Sequence, residues 1–160
     1  MKEDAHDLAM KYLAHRDRTS KEIRDHLTAK GVQTAAISEC LKYLTRGGYV
    51  NDEEYCGKYI LYSMDKGRGP LRIIKELSDK GVPSDFIDPA IEEHFGGDGE
   101  RNAAEKVVGK LLGPEWENSQ MSEKDVARIG RQLASRGFHS HVIYEIVGRL
   151  ISKQVQVDRD

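Results

Sequence analysis

The sequence is poor in residues that cross-link or anchor a small protein. Its 160 residues include two cysteines, Cys40 and Cys56, which form no CxxC pair. This argues against a structural zinc site, and we expect two small buried thiols. No apolar run approaches the roughly 20 residues that span a bilayer, and the first residues mix acids and bases, unlike a signal peptide. We therefore expect a cytoplasmic protein without membrane contact.

Signatures of catalysis are also missing. The sequence contains no HExxH, GxSxG or Walker motif. Its histidines are scattered, and the close pair His139 and His141 has i, i+2 spacing, so the two side chains do not share a helix face. We expect no catalytic residues, no metal and no cofactor, and therefore no enzymatic activity.

Charge of one sign is not in excess, because the net charge is −2 although charged residues make up 32% of the chain. A protein that coats DNA through its phosphates needs a strongly basic balance. Any contact with nucleic acid would therefore have to come from a local patch. A mixed-charge surface suits a protein partner at least as well.

The sequence does contain an internal repeat. Residues 23–32, 73–82 and 129–138 each place Ile four residues before Leu, followed by a base, a glycine and an apolar residue. Apolar residues follow again six and ten positions after each glycine. Such agreement in three copies predicts three copies of one structural unit.

The repeat has a direct physical reading as a helix, a tight turn and a second helix. Ile and Leu at i and i+4 share a helix face, which we expect to be buried. The glycines can adopt the positive φ that closes a helix. The polar residues three positions later are expected to be N-caps of the next helix. The glycines are Gly31, Gly81 and Gly137, and the expected N-caps are Thr34, Ser84 and Ser140.

A further amphipathic segment precedes each pair, which makes three helices per unit, and strand signals are nearly absent. We predict an all-α fold of three tandem three-helix, helix-turn-helix-like repeats. Their predicted bounds are residues 1–50, 51–96 and 97–152, with a C-terminal tail at 153–160.

Two basic stripes form the candidate partner-binding site. Their spacings place most members of each stripe on one helix face, although an ordinary solvated face is an equal alternative. The stretch KGRGP at 66–70 has the composition of a phosphate cradle but lacks a preceding strand, so we interpret it as an interhelical turn. The first stripe is Lys66, Arg68, Arg72 and Lys75, and the second is Lys124, Arg128, Arg131 and Arg136.

The aromatic residues divide into two groups. Trp116 lies in a polar insertion, where we expect it to be exposed. Four tyrosines flank the joints between the units, where we expect them to pack. They are Tyr43, Tyr55, Tyr59 and Tyr62.

Four segments, in this order and spacing, resemble the RecX family of regulators of the recombinase RecA. They are YLAHRDRTSKEIRDHLTAKGV, GYVNDEEYCGKYI, KGRGPLRIIKELSDKGV and SRGFHSHVIYEIV, and the resemblance covers residues 5–152. The last segment has Ser135 where the family usually carries a second base.

The resemblance implies an elongated, curved arrangement of the repeats in a monomer that binds the groove of the RecA–DNA filament. It implies lower ATP hydrolysis and strand exchange by RecA, in DNA repair, homologous recombination and the SOS response. Weak direct contact with single- or double-stranded DNA could accompany this. One alternative is a helix-turn-helix protein that acts directly on DNA, and another is a short helical scaffold with a different partner.

Overall fold

The computed structural model describes the backbone of residues 4–159 and the side chains of residues 4–151. Over that range the protein is all-helical and has no strand, which confirms the predicted fold class. A 3-10 turn at Trp116–Asn118 precedes the eighth helix. The α-helices are α1 Ala5–Leu13, α2 Ser20–Ala29, α3 Thr34–Arg46, α4 Asp52–Asp65, α5 Pro70–Asp79, α6 Ser84–Phe95, α7 Gly99–Leu112, α8 Glu123–Arg136 and α9 Ser140–Arg159.

Helix starts follow from side chains that satisfy the free backbone amides of the first turn. Thr19 and Glu22 form a capping box at α2, in which the Glu22 amide donates to Thr19 Oγ1 at 3.1 Å and the Thr19 amide donates to Glu22 Oε1 at 3.1 Å. The Ser122 hydroxyl accepts from the Asp125 amide at 3.1 Å and caps α8. Pro70, which has no amide hydrogen, begins α5.

The three repeat glycines end α2, α5 and α8 with positive φ, as predicted. The φ values are 84° at Gly31, 84° at Gly81 and 96° at Gly137. The residue after each glycine donates its amide to the carbonyl of the repeat leucine, which is the closing bond of a Schellman turn. The sequence repeat therefore encodes one backbone turn three times.

The N-cap prediction after these glycines was wrong by one residue. Helices α3, α6 and α9 begin at the polar residues themselves, Thr34, Ser84 and Ser140. At α3 the N-cap is Gln33, whose backbone is extended and whose side chain makes no capping hydrogen bond.

The buried face of the repeat helices is confirmed. Each Ile and Leu of the three i, i+4 pairs is at most 1% exposed. They are Ile23, Leu27, Ile73, Leu77, Ile129 and Leu133.

The chain forms two compact units. Unit 1 contains the residues up to Tyr59 together with Glu76–Ala90, and unit 2 contains Ile60–Lys75 together with the residues from Ile91 onward. Helices α4, α5 and α6 each contribute residues to both units. The boundaries of the three sequence repeats as domains stay a prediction.

Unit 1 has a core between α1, α2 and α3 that includes Ala9, Leu27 and Leu44. Cys40 belongs to this core, and Cys56 is buried elsewhere in the same unit, as expected for small structural thiols. Burial raises the pKa of both thiols.

Unit 2 has a core between α7, α8 and α9, and Trp116 belongs to it. The expectation that Trp116 is exposed was wrong, because it is 6% exposed and the guanidinium of Arg149 lies 5.6 Å from its ring centroid. Tyr43 and Tyr62 also differ from expectation, since they are 56% and 54% exposed rather than packed.

Candidate partner-binding surface

In unit 2 the first turn of α5 contacts the C-terminal end of α8. The Gly69 amide donates to the Arg136 carbonyl at 2.7 Å, and the Leu71 amide donates to the Gly137 carbonyl at 2.9 Å. The last carbonyls of a helix have no N–H partner within that helix. The amides of Gly69 and Leu71 therefore bind carbonyls at the end of α8 that would otherwise lack a donor. The KGRGP segment is thus fixed to the end of another helix.

This backbone contact requires glycine on both sides. A Cβ on Gly69 would lie 2.6 Å from the Gly137 carbonyl carbon, and a Cβ on Gly137 would lie 2.5 Å from the Arg72 amide nitrogen. Both distances are well inside van der Waals contact, and backbone atoms cannot rotate away. The pair Gly69 and Gly137 therefore permits an approach that no other residue type would allow.

The contact brings the two predicted basic stripes together. Arg136, the last residue of the second stripe, donates from Nη1 to the Lys66 carbonyl at 3.3 Å. Arg72 lies against Gly137, the residue after Arg136. We call Lys66, Arg68, Arg72 and Arg136 the basic junction.

The members of the two stripes differ in exposure. Arg68 and Arg136 are half-buried, and Arg136 Nε is buried without a hydrogen-bond partner among the described residues. Arg136 thus fixes the turn at Lys66 in addition to contributing charge. The remaining stripe residues are exposed, namely Lys66, Arg72, Lys75, Lys124, Arg128 and Arg131.

The backbone hydrogen bonds of the KGRGP segment also determine how it can bind an anion. A phosphate cradle presents unpaired backbone amides at a helix N-terminus. Here the amides of Gly69 and Leu71 are already donated to α8. This segment can attract an anion through its side chains but cannot use those two amides, which agrees with its interpretation as a turn.

The sequence interpretation missed an exposed aromatic ring beside the basic junction. Lys66 Nζ and the Arg68 guanidinium carbon each lie 5.6 Å from the Tyr62 ring centroid, which is cation–π distance. Tyr62 lies in the last turn of α4 and Lys66 directly follows that helix, and their i, i+4 spacing could have indicated this pairing.

The histidines do not form a metal site in the part of the chain that the structure describes, where no group of three or more potential ligands occurs. His139 Nδ1 instead lies 2.5 Å from Glu100 Oε1. Glu100 is 6% exposed, so His139 is the partner of a buried carboxylate. Among the described residues, none of the helices has the length and apolar character needed to cross a bilayer.

Comparison with known proteins identifies the family. The models described as RecX, first three-helix domain, and RecX, second three-helix domain, match residues 5–44 and 51–91. The regulatory protein RecX of Bacillus licheniformis is 34% identical over 84% of this chain and 51% of its own length. That of Bacillus pumilus is 35% identical over the same shares. The chain spans about half the length of the curated relatives it matches.

Solved structures support the fold. The crystal structure of RecX from Lactobacillus salivarius has a TM-score of 0.74 and 24% identity, and the match covers 91% of this chain and 94% of that one. A second crystal structure of regulatory protein RecX has a TM-score of 0.72 and 24% identity over 90% of this chain and 71% of the other. Two consecutive three-helix domains and these curated relatives together show that the chain belongs to the RecX family.

Proposed function

We propose that this protein binds the RecA–DNA filament as a monomer and lowers RecA's ATP hydrolysis and strand exchange. It acts by occupying the filament and performs no catalysis itself. Family membership supports RecA as the partner. The observation that carries the choice of surface is the convergence of both basic stripes at the contact between α5 and α8.

The four cations of the basic junction can attract a negatively charged filament. Backbone hydrogen bonds between the start of α5 and the end of α8 fix the segments that carry them. A preorganised surface loses less conformational entropy on binding than a flexible one. Three of its four cations are arginines, which can form bidentate hydrogen bonds with carboxylate and phosphate alike. The exposed cations of α8, namely Lys124, Arg128 and Arg131, extend the same charge along that helix.

The test is RecA ATPase activity on single-stranded DNA, titrated with the protein at two salt concentrations. We expect Arg72→Glu with Lys75→Glu, and separately Arg128→Glu with Arg131→Glu, to weaken inhibition roughly tenfold each. The loss should be larger at low salt, because screening reduces the contribution of exposed charges.

The matched control reverses two exposed cations elsewhere. Lys42 and Arg46 lie on α3 in unit 1, are exposed and have i, i+4 spacing. Lys42→Glu with Arg46→Glu therefore changes the net charge equally and should leave inhibition unchanged. Helicity by circular dichroism should be the same in all variants, since exposed substitutions cost little stability.

Two results would contradict the proposal. If both stripe variants inhibit like the parent at both salts, the stripes are solvated faces and the binding face lies among the acidic residues of 51–96. If the protein binds bare duplex DNA as tightly as it binds the RecA filament, the helix-turn-helix alternative is correct.

A further inference from the structure

A groove along α9 in unit 2 shares no residue with the basic junction. It has a volume of about 520 Å³, and its lining includes the buried side chains of Trp116 and Leu150. The ring of Tyr144 also lines it and is 74% exposed. The volume is within the range of about 300–1,000 Å³ that is typical of ligand pockets. We call this site the α9 groove.

Gly148 keeps the α9 groove open. It lies inside α9, where glycine weakens a helix relative to alanine. A Cβ at this position would meet no atom of the described residues within 4 Å, so packing within that part of the chain does not require glycine. Tyr144 lies four residues before Gly148 and Ile151 lies three residues after it, so the three share a helix face. Tyr144 and Ile151 are both exposed. This face of α9 therefore presents apolar side chains to solvent on both sides of an open position.

The border of the α9 groove carries an excess of acid. Among the described residues, two arginines share four carboxylates in one network of ion pairs, which leaves two negative charges in excess. The N–O distances range from 2.7 to 3.9 Å. The arginines are Arg101 and Arg149, and the carboxylates are those of Asp98, Glu105, Glu117 and Glu145. Glu117 and Glu145 line the groove and are exposed. Exposed ion pairs are weak, so the cation of a partner can compete for either acid.

We infer that the α9 groove binds a segment of a second protein in which an apolar side chain is flanked by lysine or arginine. The apolar side chain lies against Gly148 and the ring of Tyr144, and the flanking cations pair with Glu117 and Glu145. Protein interfaces have this form, with an apolar centre and a polar rim, and exposed aromatic residues often contribute much of the binding energy.

The charge of the border distinguishes this partner from the RecA–DNA filament. Nucleic acid carries one negative charge per phosphate, and an acidic border repels it. The basic junction suits a negatively charged partner, whereas the α9 groove suits a positively charged one. The inference therefore goes beyond the proposed function and does not depend on it.

The experiment uses the fluorescence of Trp116, which is the single tryptophan of the chain and lines the α9 groove. The full chain is titrated at low salt with an unlabelled amphipathic peptide of leucine and lysine, about three helical turns long. We expect a saturable change in Trp116 emission. A peptide with alanine in place of leucine has the same charge but no large apolar side chain, and a peptide with glutamate in place of lysine has the opposite charge. Neither of these two should bind.

Gly148→Leu fills the α9 groove from within the helix. It should weaken binding of the leucine–lysine peptide at least about tenfold, the loss expected when one apolar side chain can no longer be buried. It should also raise the midpoint of thermal unfolding, because leucine is a better helix former than glycine. The matched control is Gly57→Leu, since Gly57 lies inside α4 in unit 1 and an added Cβ there also meets no described atom within 4 Å. This control should bind the peptide like the parent.

The electrostatic part is tested by neutralising the two acids that line the α9 groove. Glu117→Gln with Glu145→Gln should weaken peptide binding about 2- to 20-fold and reduce its dependence on salt, because each exposed charge pair contributes modestly and is screened. Glu39→Gln with Glu53→Gln is the control, since it removes the same charge from exposed positions of α3 and α4 in unit 1. It should leave the affinity for the peptide nearly unchanged.

The inference is wrong if the leucine–lysine peptide does not change Trp116 emission, if the alanine–lysine peptide binds equally well, or if Gly148→Leu binds like the parent. It is also wrong if Gly57→Leu weakens binding as much as Gly148→Leu. Sedimentation tests another occupant, because a parent dimer that Gly148→Leu converts to a monomer would show that a second copy of this chain fills the groove.

RecA inhibition separates this inference from the proposed function. Gly148→Leu should inhibit RecA like the parent. A loss of inhibition in this variant would place the α9 groove on the filament-binding surface and contradict a separate partner. If the parent itself does not inhibit RecA but peptide binding follows the expectations above, the proposed function fails and the assignment of the α9 groove holds.

Discussion

In each unit, the start of one helix contacts the repeat glycine that ends another helix. The two units differ in the hydrogen bond that makes this contact. In unit 1 the hydroxyl of Thr19, at the start of α2, donates to the Lys80 carbonyl at 2.6 Å, just before Gly81. In unit 2 the backbone amide of Gly69, at the start of α5, donates to the Arg136 carbonyl at 2.7 Å, just before Gly137. The same carbonyl position thus receives a side-chain donor in one unit and a backbone donor in the other.

The difference follows from the residue at each helix start. Thr19 has a side chain that keeps the two backbones apart, whereas Gly69 has none and lets them touch. The third repeat glycine makes no such contact, because a Cβ on Gly31 would meet nothing within 4 Å. Each of the three glycines supplies the positive φ at its helix end. At Gly81 and Gly137 the missing side chain also lets the neighbouring helix approach closely.

The largest expected effect is that of Gly137→Ala. The new Cβ would lie 2.5 Å from backbone and side-chain atoms of Arg72, at a φ of 96°. We expect a loss of about 2–4 kcal/mol in the free energy of unfolding, from left-handed strain and overpacking together. Chemical denaturation monitored by circular dichroism measures it.

Gly31→Ala is the control for that substitution. It has the same positive φ but open space around the added methyl group, so it should cost only about 1 kcal/mol. Equal losses for Gly31→Ala and Gly137→Ala would show that backbone strain alone matters and that the α5 contact does not constrain position 137.

The helices could be predicted from the sequence, whereas the contact between α5 and α8 could not. Ile and Leu at i and i+4 with a following glycine specify a helix and its end locally, and these features were confirmed three times. The bond from Gly69 to Arg136 joins segments that lie far apart in sequence, and no local pattern records it. Trp116 shows the same limit, because its polar neighbours in sequence say nothing about the core residues that cover it.

Thr19→Ala tests the unit 1 side of the comparison. Thr19 is 0% exposed and serves both as the N-cap of α2 and as the donor to Lys80. Loss of a cap and of a buried hydrogen bond should cost about 2 kcal/mol in the free energy of unfolding. Thr19→Ser keeps the hydroxyl and should recover most of it. If Ser is as destabilising as Ala, the methyl group of Thr19 and not its hydroxyl stabilises this contact.

The smallest expected effect concerns Glu22, the acid that completes the capping box of α2. The start of α5 has no such acid, because Arg72 occupies the equivalent position of the repeat. Burial by itself raises the pKa of Glu22, but the hydrogen bonds from Arg16, at 2.6 Å, and from the Thr19 amide outweigh it and lower the pKa below its ordinary value of 4.5. A carboxylate with a depressed pKa stabilises the folded state above its unfolded pKa, and this stability is lost as the pH falls through the folded value.

Glu22→Gln should therefore cost about 1 kcal/mol at pH 7, and the difference from the parent should shrink as the pH falls below about 4.5. Urea denaturation across this pH range measures it, with Glu39→Gln at an exposed position of α3 as a charge-matched control. A difference between parent and Glu22→Gln that stays constant down to the lowest pH at which the protein folds would show that Glu22 acts through its shape and not through its charge.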